Sequence, residues 1–235
     1  MTDAASAAPL LDLADLRYAW PGTSAPVFDG LDLRVAQGEA VFLAGASGSG
    51  KSTLLALIGG LIAPDAGRIE FAGTRLDALK RAERDRFRAE HLGVIFQQFN
   101  LLPWLDPVAN VLLGCRFSKQ RRQRAGDREA EARRLLATMG IDEAGSARRA
   151  DQLSVGQQQR VAAARALIGR PDLVLADEPT SALDRDRRDE FLDLLFGEVR
   201  AAGSALLFVS HDRELVDRFD RVLELDALKN GGAAC

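Results

Sequence analysis

The sequence predicts an α/β fold with a mostly parallel β-sheet and an inserted helical sub-domain. Short apolar and β-branched runs alternate with longer segments of helical periodicity such as Arg185 to Arg200, a pattern typical of a parallel sheet covered by helices. The stretch from about Asp106 to Ala150 carries helical patterns and many charges without a convincing strand, so we expect a helical insertion there. The predicted strands are Val41 to Ala44, Val94 to Phe96, Leu173 to Ala176 and Ala205 to Val209.

Composition is that of an ordinary globular protein. The 235 residues are 47% hydrophobic, which is enough to bury a core. The formal net charge of -3 arises from 31 basic and 34 acidic residues, so no overall field favours nucleic acid as a partner. We interpret the basic run Lys119 to Arg134 as a solvated helix face, with a lipid or nucleic-acid site as the alternative.

No segment is predicted to span a membrane. The longest nearly uninterrupted apolar stretch, Leu54 to Ala63, has ten residues, whereas a spanning helix needs about 20. Residues 1–9 lack the features of a secretory signal and are expected to form a disordered leader of a cytoplasmic protein. Residues 229–235 are expected to form a flexible tail. Cys115 and Cys235 have no metal-type spacing and are expected to be unpaired thiols.

A glycine-rich loop follows the predicted strand Val41 to Ala44. The sequence GASGSGKST matches the phosphate-loop pattern of glycine, four residues, glycine, lysine and a hydroxyl residue. The glycines let successive N–H groups point inward, and the next helix adds its positive end, although a flexible turn is the alternative. Lys51 is expected to reach the β- and γ-phosphates, and Ser52 to ligate Mg²⁺. The expected phosphate-contacting residues are Gly45, Ala46, Ser47, Gly48, Ser49, Gly50, Lys51, Ser52 and Thr53.

Another predicted strand ends in two adjacent acids. The run Leu173 to Ala176 is followed by Asp177 and Glu178, so both carboxylates are expected at the edge where α/β sheets bind ligands. Because neighbouring side chains on a strand point to opposite faces, Asp177 is expected to help hold Mg²⁺ and Glu178 to face an attacking water. Alone, such a pair is common at solvated strand ends. The phosphate loop upstream favours the functional interpretation.

The segment between these two elements carries a family resemblance. It reads LSVGQQQR from Leu153 to Arg160, followed by a predicted helix Val161 to Leu167, and it resembles the signature motif of ABC ATPases. The order of other features is also similar to that family, from about Leu10 to Leu225. These features are Gln97 after a strand, Pro179-Thr180 after the acids, the loop Ser181-Ala-Leu-Asp184, and His211 after a further strand.

The resemblance implies a fold and a reaction. The fold is an ABC-type P-loop NTPase core over residues 10–228, with an N-terminal antiparallel β portion and a helical sub-domain at about 106–165. The reaction is ATP hydrolysis with ATP and Mg²⁺ bound. The catalytic residues implied are Glu178, His211, Gln97 and Lys51, and the Mg²⁺ ligands implied are Ser52, Gln97 and Asp177. Trp20 resembles the aromatic residue that stacks on adenine, with Tyr18 as the alternative and a core role for either ring also open.

The resemblance further implies that two copies of the chain share each nucleotide. Ser154, Gly156 and Gln157 are expected to contact the γ-phosphate bound by the other subunit, and Asp184 to couple the two sites. Val155 departs from the family, which usually has glycine there. We expect Val155 to adopt ordinary helical angles, because a helix N-terminus requires nothing else.

A separate membrane permease is the partner that the resemblance implies. The chain would lie on the cytoplasmic face of the inner membrane through that permease. We expect docking near the apolar cluster Phe99, Leu101, Leu102 and Trp104, since exposed apolar patches tend to be interaction sites; a buried hinge core is the alternative. The motif sequences FQQFNLLP from Phe96, GASGSG from Gly45 and ADEPT from Ala176 most resemble the lipoprotein-releasing and macrolide-exporting subgroup. The main rival is a non-transport ABC ATPase of DNA repair or translation, followed by a small-molecule P-loop kinase.

Overall fold

The structure, a computed structural model, describes residues 8–46 and 48–229. Most of the expected leader, Ser47, and the expected tail from residue 230, including Cys235, lie outside these ranges. The strands are β1 Leu11–Tyr18, β2 Phe28–Val35, β3 Ala40–Ala44, β4 Ala66–Phe71, β5 Thr74–Arg75, β6 Leu92–Ile95, β7 Leu173–Asp177, β8 Ala205–Ser210 and β9 Arg221–Glu224. The helices are α1 Lys51–Ile58, α2 Arg81–His91, α3 Pro107–Arg116, α4 Lys119–Ala125, α5 Arg128–Thr138, α6 Glu143–Ser146, α7 Val155–Leu167, α8 Arg185–Ala202 and α9 Leu225–Lys229.

A five-stranded parallel sheet forms the centre of the molecule. Its strand order is β6-β7-β8-β3-β9, and every neighbouring pair is parallel. The four predicted strands are β3, β6, β7 and β8, so the predicted α/β class is confirmed. Because the strands are parallel, their carboxyl ends meet at one edge. That edge receives the loops in which the candidate site residues lie.

Side chains alternate between the two faces of this sheet and so contribute to two separate cores. Phe42 and Phe208 lie on one face with their rings 6.1 Å apart, packed with Leu195 of α8 in one core. Leu43 and Val209 lie on the opposite face in a second core with α1. This period of two explains why the central strands read as continuous apolar runs, since both faces are covered.

A four-stranded antiparallel sheet of order β2-β1-β4-β5 contributes to the second core. It is the antiparallel portion implied by the family resemblance. Strand β1 ends at Tyr18, and the chain returns to β2 through Val27, whose N–H donates to the Tyr18 carbonyl at 2.8 Å. The connecting loop carries Trp20. Val27, which follows this loop, packs against the phosphate loop, because a Cβ at Gly50 would lie 2.7 Å from its Cγ1 atom.

The described chain between β6 and β7 contains helices α3 to α7 and no strand. Helix α7 approaches its neighbours closely, because a Cβ at Gly114 of α3 would lie 2.1 Å from the Arg165 carbonyl oxygen. Arg121 of α4 is buried and donates to the carbonyls of Leu92 and Ile168. Burial lowers the pKa of its guanidinium to about 10. The region is thus held against β6 and the end of α7.

Two expectations from the sequence concern features outside the site. No described helix has both the length and the apolar character that a membrane span requires. Cys115 is buried and its thiol is free.

Candidate active site

The phosphate loop connects β3 to α1 in a backbone conformation that requires glycine. Gly48 has a φ of 78° and Gly50, the N-cap of α1, has a φ of 100°. A Cβ at Gly50 would lie 2.7 Å from the Val27 Cγ1 atom. The hydroxyl oxygen of Ser49 is buried and has no hydrogen-bond partner among the described residues. A loop with an unused buried hydroxyl beside a helix N-terminus is suited to an anionic ligand.

Lys51, the first residue of α1, is 7% exposed and points back into the loop. Its ammonium donates to the carbonyl oxygens of Gly45 at 2.7 Å and Ala46 at 2.9 Å. The same Nζ atom lies 3.6 Å from the Glu178 Oε1 atom. The cation is therefore held where the loop and the acidic strand end meet.

Asp177 is the last residue of β7 and accepts a hydrogen bond from the Ser52 hydroxyl at 3.2 Å. Burial raises the pKa of its carboxyl above the ordinary value of 3.8, and the adjacent charge of Glu178 raises it further. The Ser52 hydrogen bond and the Lys51 charge act in the opposite direction. A carboxylate and a hydroxyl held together in this way offer oxygen ligands of the kind that Mg²⁺ prefers.

Glu178 follows the strand with a left-handed φ of 45°. Its N–H donates to the Val209 carbonyl at 2.9 Å, and its Oε2 lies 2.9 Å from the His211 Nδ1 atom. The sequence predicts that Asp177 and Glu178 point in different directions because side chains alternate along a strand. The structure instead turns the backbone at Glu178, which directs one acid toward Ser52 and the other toward His211 and Lys51. A left-handed non-glycine residue is a local strain of the kind found at functional sites.

These side chains line one open cavity of about 500 Å³ at the carboxyl edge of the parallel sheet. The cavity unites all four predicted catalytic residues with all three predicted Mg²⁺ ligands and part of the phosphate loop. It is lined by Gly48, Gly50, Lys51, Ser52, Thr53, Gln97, Asp177, Glu178 and His211.

The two aromatic candidates lie in different environments. The Trp20 ring is 44% exposed, whereas Tyr18 is 6% exposed and belongs to the core of the antiparallel sheet. The rings meet edge to face with centroids 5.3 Å apart. Only Trp20 therefore presents a substantial aromatic surface to a ligand.

The signature segment does not line the cavity of its own chain. Ser154 caps α7, accepting from the Gln157 N–H at 3.2 Å while the Gln157 side chain accepts from the Ser154 N–H at 3.0 Å. Val155 begins the helix and has no positive φ, which confirms that this position needs no glycine. A Cβ at Gly156 would lie 3.6 Å from the Leu183 Cδ2 atom.

Asp184 lies apart from the cavity in the same way. It caps α8 and accepts from the Arg187 N–H at 3.0 Å.

Two features near the site were missed by sequence reasoning. Arg188 of α8 is bonded to Asp212, the residue after His211, but a charged helix pattern indicates only a solvated face. A groove of about 680 Å³ also lies between β6 and the helical region, and Phe96 and Phe117 are among its lining residues. The groove could not be found from the sequence, because Phe96 and Phe117 are 21 positions apart and belong to no common pattern.

Comparisons with known proteins agree with this geometry. The family model described as ABC transporter matches residues 28–181. The lipoprotein-releasing system ATP-binding protein LolD of Xanthomonas oryzae pv. oryzae is 43% identical over 208 residues, covering 88% of this chain and 84% of that protein. The macrolide export ATP-binding/permease protein MacB of Rhodopseudomonas palustris is 44% identical over 215 residues, covering 91% of this chain and 32% of that protein.

A solved structure is similar over nearly the whole described chain. The ATP-binding cassette MJ0796, in a dimeric post-hydrolysis state bound to ADP and Pi, has a TM-score of 0.82 and 32% sequence identity, covering 91% of this chain and 93% of that chain. These relatives do not favour the rival assignment to DNA repair or translation. The match to the family model and the 43% identity to LolD, which covers 88% of this chain and 84% of LolD, show that the chain belongs to the ABC transporter family of ATP-binding proteins.

Proposed function

We propose that this ATPase drives a separate permease of the lipoprotein-releasing or exporting type, as one half of a nucleotide-sandwiching dimer. The observation that carries the proposal is the single cavity in which Lys51, Asp177, Glu178 and His211 meet the phosphate loop. The similarity to LolD and MacB supports the permease class. We take the ATPase domain to span residues 10–228 with a helical sub-domain at about 106–165, which helices α3 to α7 support.

The residues of the cavity fit ATP and Mg²⁺. The buried Ser49 hydroxyl without a partner among the described residues and the glycine turn at Gly50 suit a phosphate chain. Ser52, Asp177 and Gln97 would hold the Mg²⁺, and the described residues contain no cluster of three or more His, Cys, Asp and Glu that would form an all-protein cage. Mg²⁺ is commonly held by few protein ligands together with phosphate oxygens. When bound, it neutralises charge on the phosphates.

Hydrolysis follows from the positions of the protein groups. Lys51 exchanges its bonds to the loop carbonyls for the β- and γ-phosphates and stabilises their charge. Glu178 orients a water for in-line attack and accepts its proton, while the bond from the γ-phosphorus to the bridging oxygen breaks. His211, held at 2.9 Å from Glu178, contacts the γ-phosphate. Trp20 stacks on adenine, because its ring is exposed and that of Tyr18 is buried.

One chain supplies only half of each site under this proposal. Ser154 and Gln157 lie outside the cavity, on the exposed N-terminus of α7, whose N–H groups attract anions. They would contact the γ-phosphate held by the second copy, with Asp184 at the shared interface. The dimeric state of the similar cassette MJ0796 supports this arrangement.

The permease is proposed to dock on the apolar surface beside Gln97. Trp104 is 62% exposed, and Phe117, which lines the groove together with Phe96, is 77% exposed. Exposed apolar surface of this kind indicates an interaction site. Phe99 and Leu102 are half-buried, and Leu101 packs on the core. The docking surface therefore combines the expected cluster with the groove that contains Phe96. Through the permease the chain would lie on the cytoplasmic face of the inner membrane.

Mixing two inactive variants tests the shared site. Lys51→Ala removes the phosphate-loop cation but leaves the signature segment intact, whereas Ser154→Arg blocks the signature segment but leaves the phosphate loop intact. Each variant alone should hydrolyse ATP at least about 100-fold more slowly than wild type, because each site then lacks an essential part. Their 1:1 mixture should regain about a quarter of the wild-type rate, since about half of randomly formed dimers are mixed and each mixed dimer contains one intact site of two.

The control is a mixture of Lys51→Ala with Lys51→Ala/Ser154→Arg, which offers no intact site and should stay inactive. Full activity of Ser154→Arg alone, or no recovery on mixing, contradicts the sharing of sites.

A further inference from the structure

A second cavity of about 410 Å³ shares Glu178 and His211 with the active site and lies between two loops. One loop leads from Thr180 into α8, and the other follows β8 and carries His211. Arg188 lines this cavity between the two loops. Its guanidinium bonds from the helix to Asp212 and Glu214 of the His211 loop.

Arg188 is deeply embedded among carboxylates. Its side chain is 12% exposed, and its Nη1 donates to the Asp212 carboxylate. Its Nη2 donates to the Glu214 Oε2 atom at 3.0 Å, and its Nε lies 3.7 Å from the Asp189 Oδ1 atom. Such charge-assisted, forked contacts fix geometry more firmly than a single exposed ion pair. Arg188 also donates its N–H to the Asp184 carbonyl at 2.9 Å, so it lies one turn into α8.

The His211 imidazole depends on its loop for its position. Its side chain is 67% exposed, and its described polar contact is the one with Glu178. The next residue, Asp212, is fixed from three directions. Its N–H donates to the Ser210 hydroxyl at 3.1 Å, its Oδ1 accepts from the Glu214 N–H at 3.1 Å, and its Oδ2 accepts from Arg188. The Arg188 bond ties Asp212, and with it this loop, to α8.

We propose that Arg188 is a positioning residue for ATP hydrolysis. Through Asp212 it holds the His211 loop against α8, so that the imidazole stays in contact with Glu178. The proposal rests on the proposed roles of Glu178 and His211. It also connects Asp184, one helical turn away and expected at the dimer interface, with the histidine of the same active site.

The experiment compares steady-state ATP hydrolysis by wild type, Arg188→Met, Arg188→Lys, Asp212→Asn and Glu214→Gln. Asp212→Asn keeps an oxygen to accept from the Glu214 N–H but weakens the bond to Arg188. The matched control is Arg134→Met, because Arg134 of α5 also bridges two carboxylates, Glu131 and Glu198, away from the cavity. Thermal unfolding and binding of a fluorescent ATP analogue are measured on every variant.

We expect Arg188→Met and Asp212→Asn each to lower kcat about tenfold or more while KM and ATP-analogue binding stay unchanged, since small displacements of catalytic groups have effects of that size. The double variant Arg188→Met/Asp212→Asn should be no slower than Arg188→Met, because both changes break the same bond between Arg188 and Asp212. Arg188→Lys should recover part of kcat. Glu214→Gln and Arg134→Met should keep the wild-type kcat.

Wild-type kcat in Asp212→Asn, or multiplicative losses in the double variant, would overturn the positioning role even if Arg188→Met fails to fold. Hydrolysis by Glu178→Gln at the wild-type rate would instead refute the proposed catalytic site, and the inference about Arg188 would fall with it. If wild type is active, Glu178→Gln is inactive and Arg188→Met has a lower kcat, the proposed catalytic site stands and the loss in Arg188→Met is due to positioning.

Discussion

At the scale of single residues, Asp177 and Glu178 show how two adjacent carboxyl groups acquire different surroundings. Asp177 remains in the strand, bonded to Ser52, whereas the left-handed backbone at Glu178 turns its carboxylate toward Lys51 and His211. Burial raises the pKa of Asp177. In the absence of Mg²⁺, the ionised Asp177 therefore opposes folding, because the folded protein disfavours the charged form.

This opposition predicts a pH-dependent effect of Asp177→Asn. Between 3.8 and the raised pKa, the folded protein binds more protons at Asp177 than the unfolded chain does, so wild-type stability falls as pH rises through that window. Asp177→Asn has no carboxyl group at this position and so does not lose stability in this way as pH rises. Without nucleotide and Mg²⁺, Asp177→Asn should have a higher Tm than wild type near neutral pH, and the difference should shrink as pH falls toward 3.8.

The control is Asp217→Asn, which makes the same chemical change at an exposed carboxyl group. Its Tm should follow that of wild type at each pH. An Asp177→Asn variant less stable than wild type at neutral pH would show that the carboxylate is stabilising and would contradict the account of its burial.

Residue types and spacing predicted the members of the cavity but not the way they are held. The phosphate loop, the two acids, Gln97 and His211 follow strands whose ends the sequence located. The positive φ of Glu178 could not be predicted, because glutamate has no preference for that conformation. No motif in the sequence indicated a structural contact for His91. It stacks on Phe87 and lies 2.6 Å from Asp172, a contact 81 residues distant in sequence.

At the scale of elements, glycine determines how closely helices pack. Gly114 lies inside α3 where α7 passes, and a Cβ there would lie 2.1 Å from the Arg165 carbonyl oxygen. Gly197 lies inside α8, where a Cβ would have no other atom within 4 Å. Both glycines therefore lie inside a helix, but only Gly114 has a neighbouring helix where a side chain would point.

Alanine at these two positions should have opposite effects. Gly197→Ala should stabilise the protein by up to about 1 kcal/mol, through helix propensity alone. Gly114→Ala should destabilise it by about 1–3 kcal/mol, because α3 and α7 must move apart. Urea unfolding of both variants measures the difference. Equal changes in the free energy of unfolding would mean that the helices do not pack at the distance described.

Element boundaries were predictable where apolar periodicity marks them. Strands β3, β6, β7 and β8 begin and end within two residues of their predicted limits. Helix α7 begins at Val155 and not at Val161, because the polar signature segment forms its first turns under the Ser154 cap. Apolar periodicity does not mark this start, whereas the spacing of Ser154 and Gln157 is a helix-start pattern of its own. The antiparallel sheet was expected from the family resemblance and not from periodicity.

At the scale of the whole molecule, three strand ends and the phosphate loop converge on one edge of the parallel sheet. The signature segment, by contrast, lies outside the cavity that these loops form. Under the proposed function, the chain therefore contains both parts of a nucleotide site but does not bring them together. We propose that a second copy brings its own signature segment to this cavity when ATP is bound.

The most direct test is the mass in solution of Glu178→Gln with and without ATP, measured by light scattering. Removing the catalytic carboxylate should prevent hydrolysis while leaving ATP binding intact. We predict a mass of one chain without ATP and of two chains with ATP, and a single chain under both conditions for Lys51→Ala. A Glu178→Gln variant that binds ATP and remains a single chain would contradict the shared site.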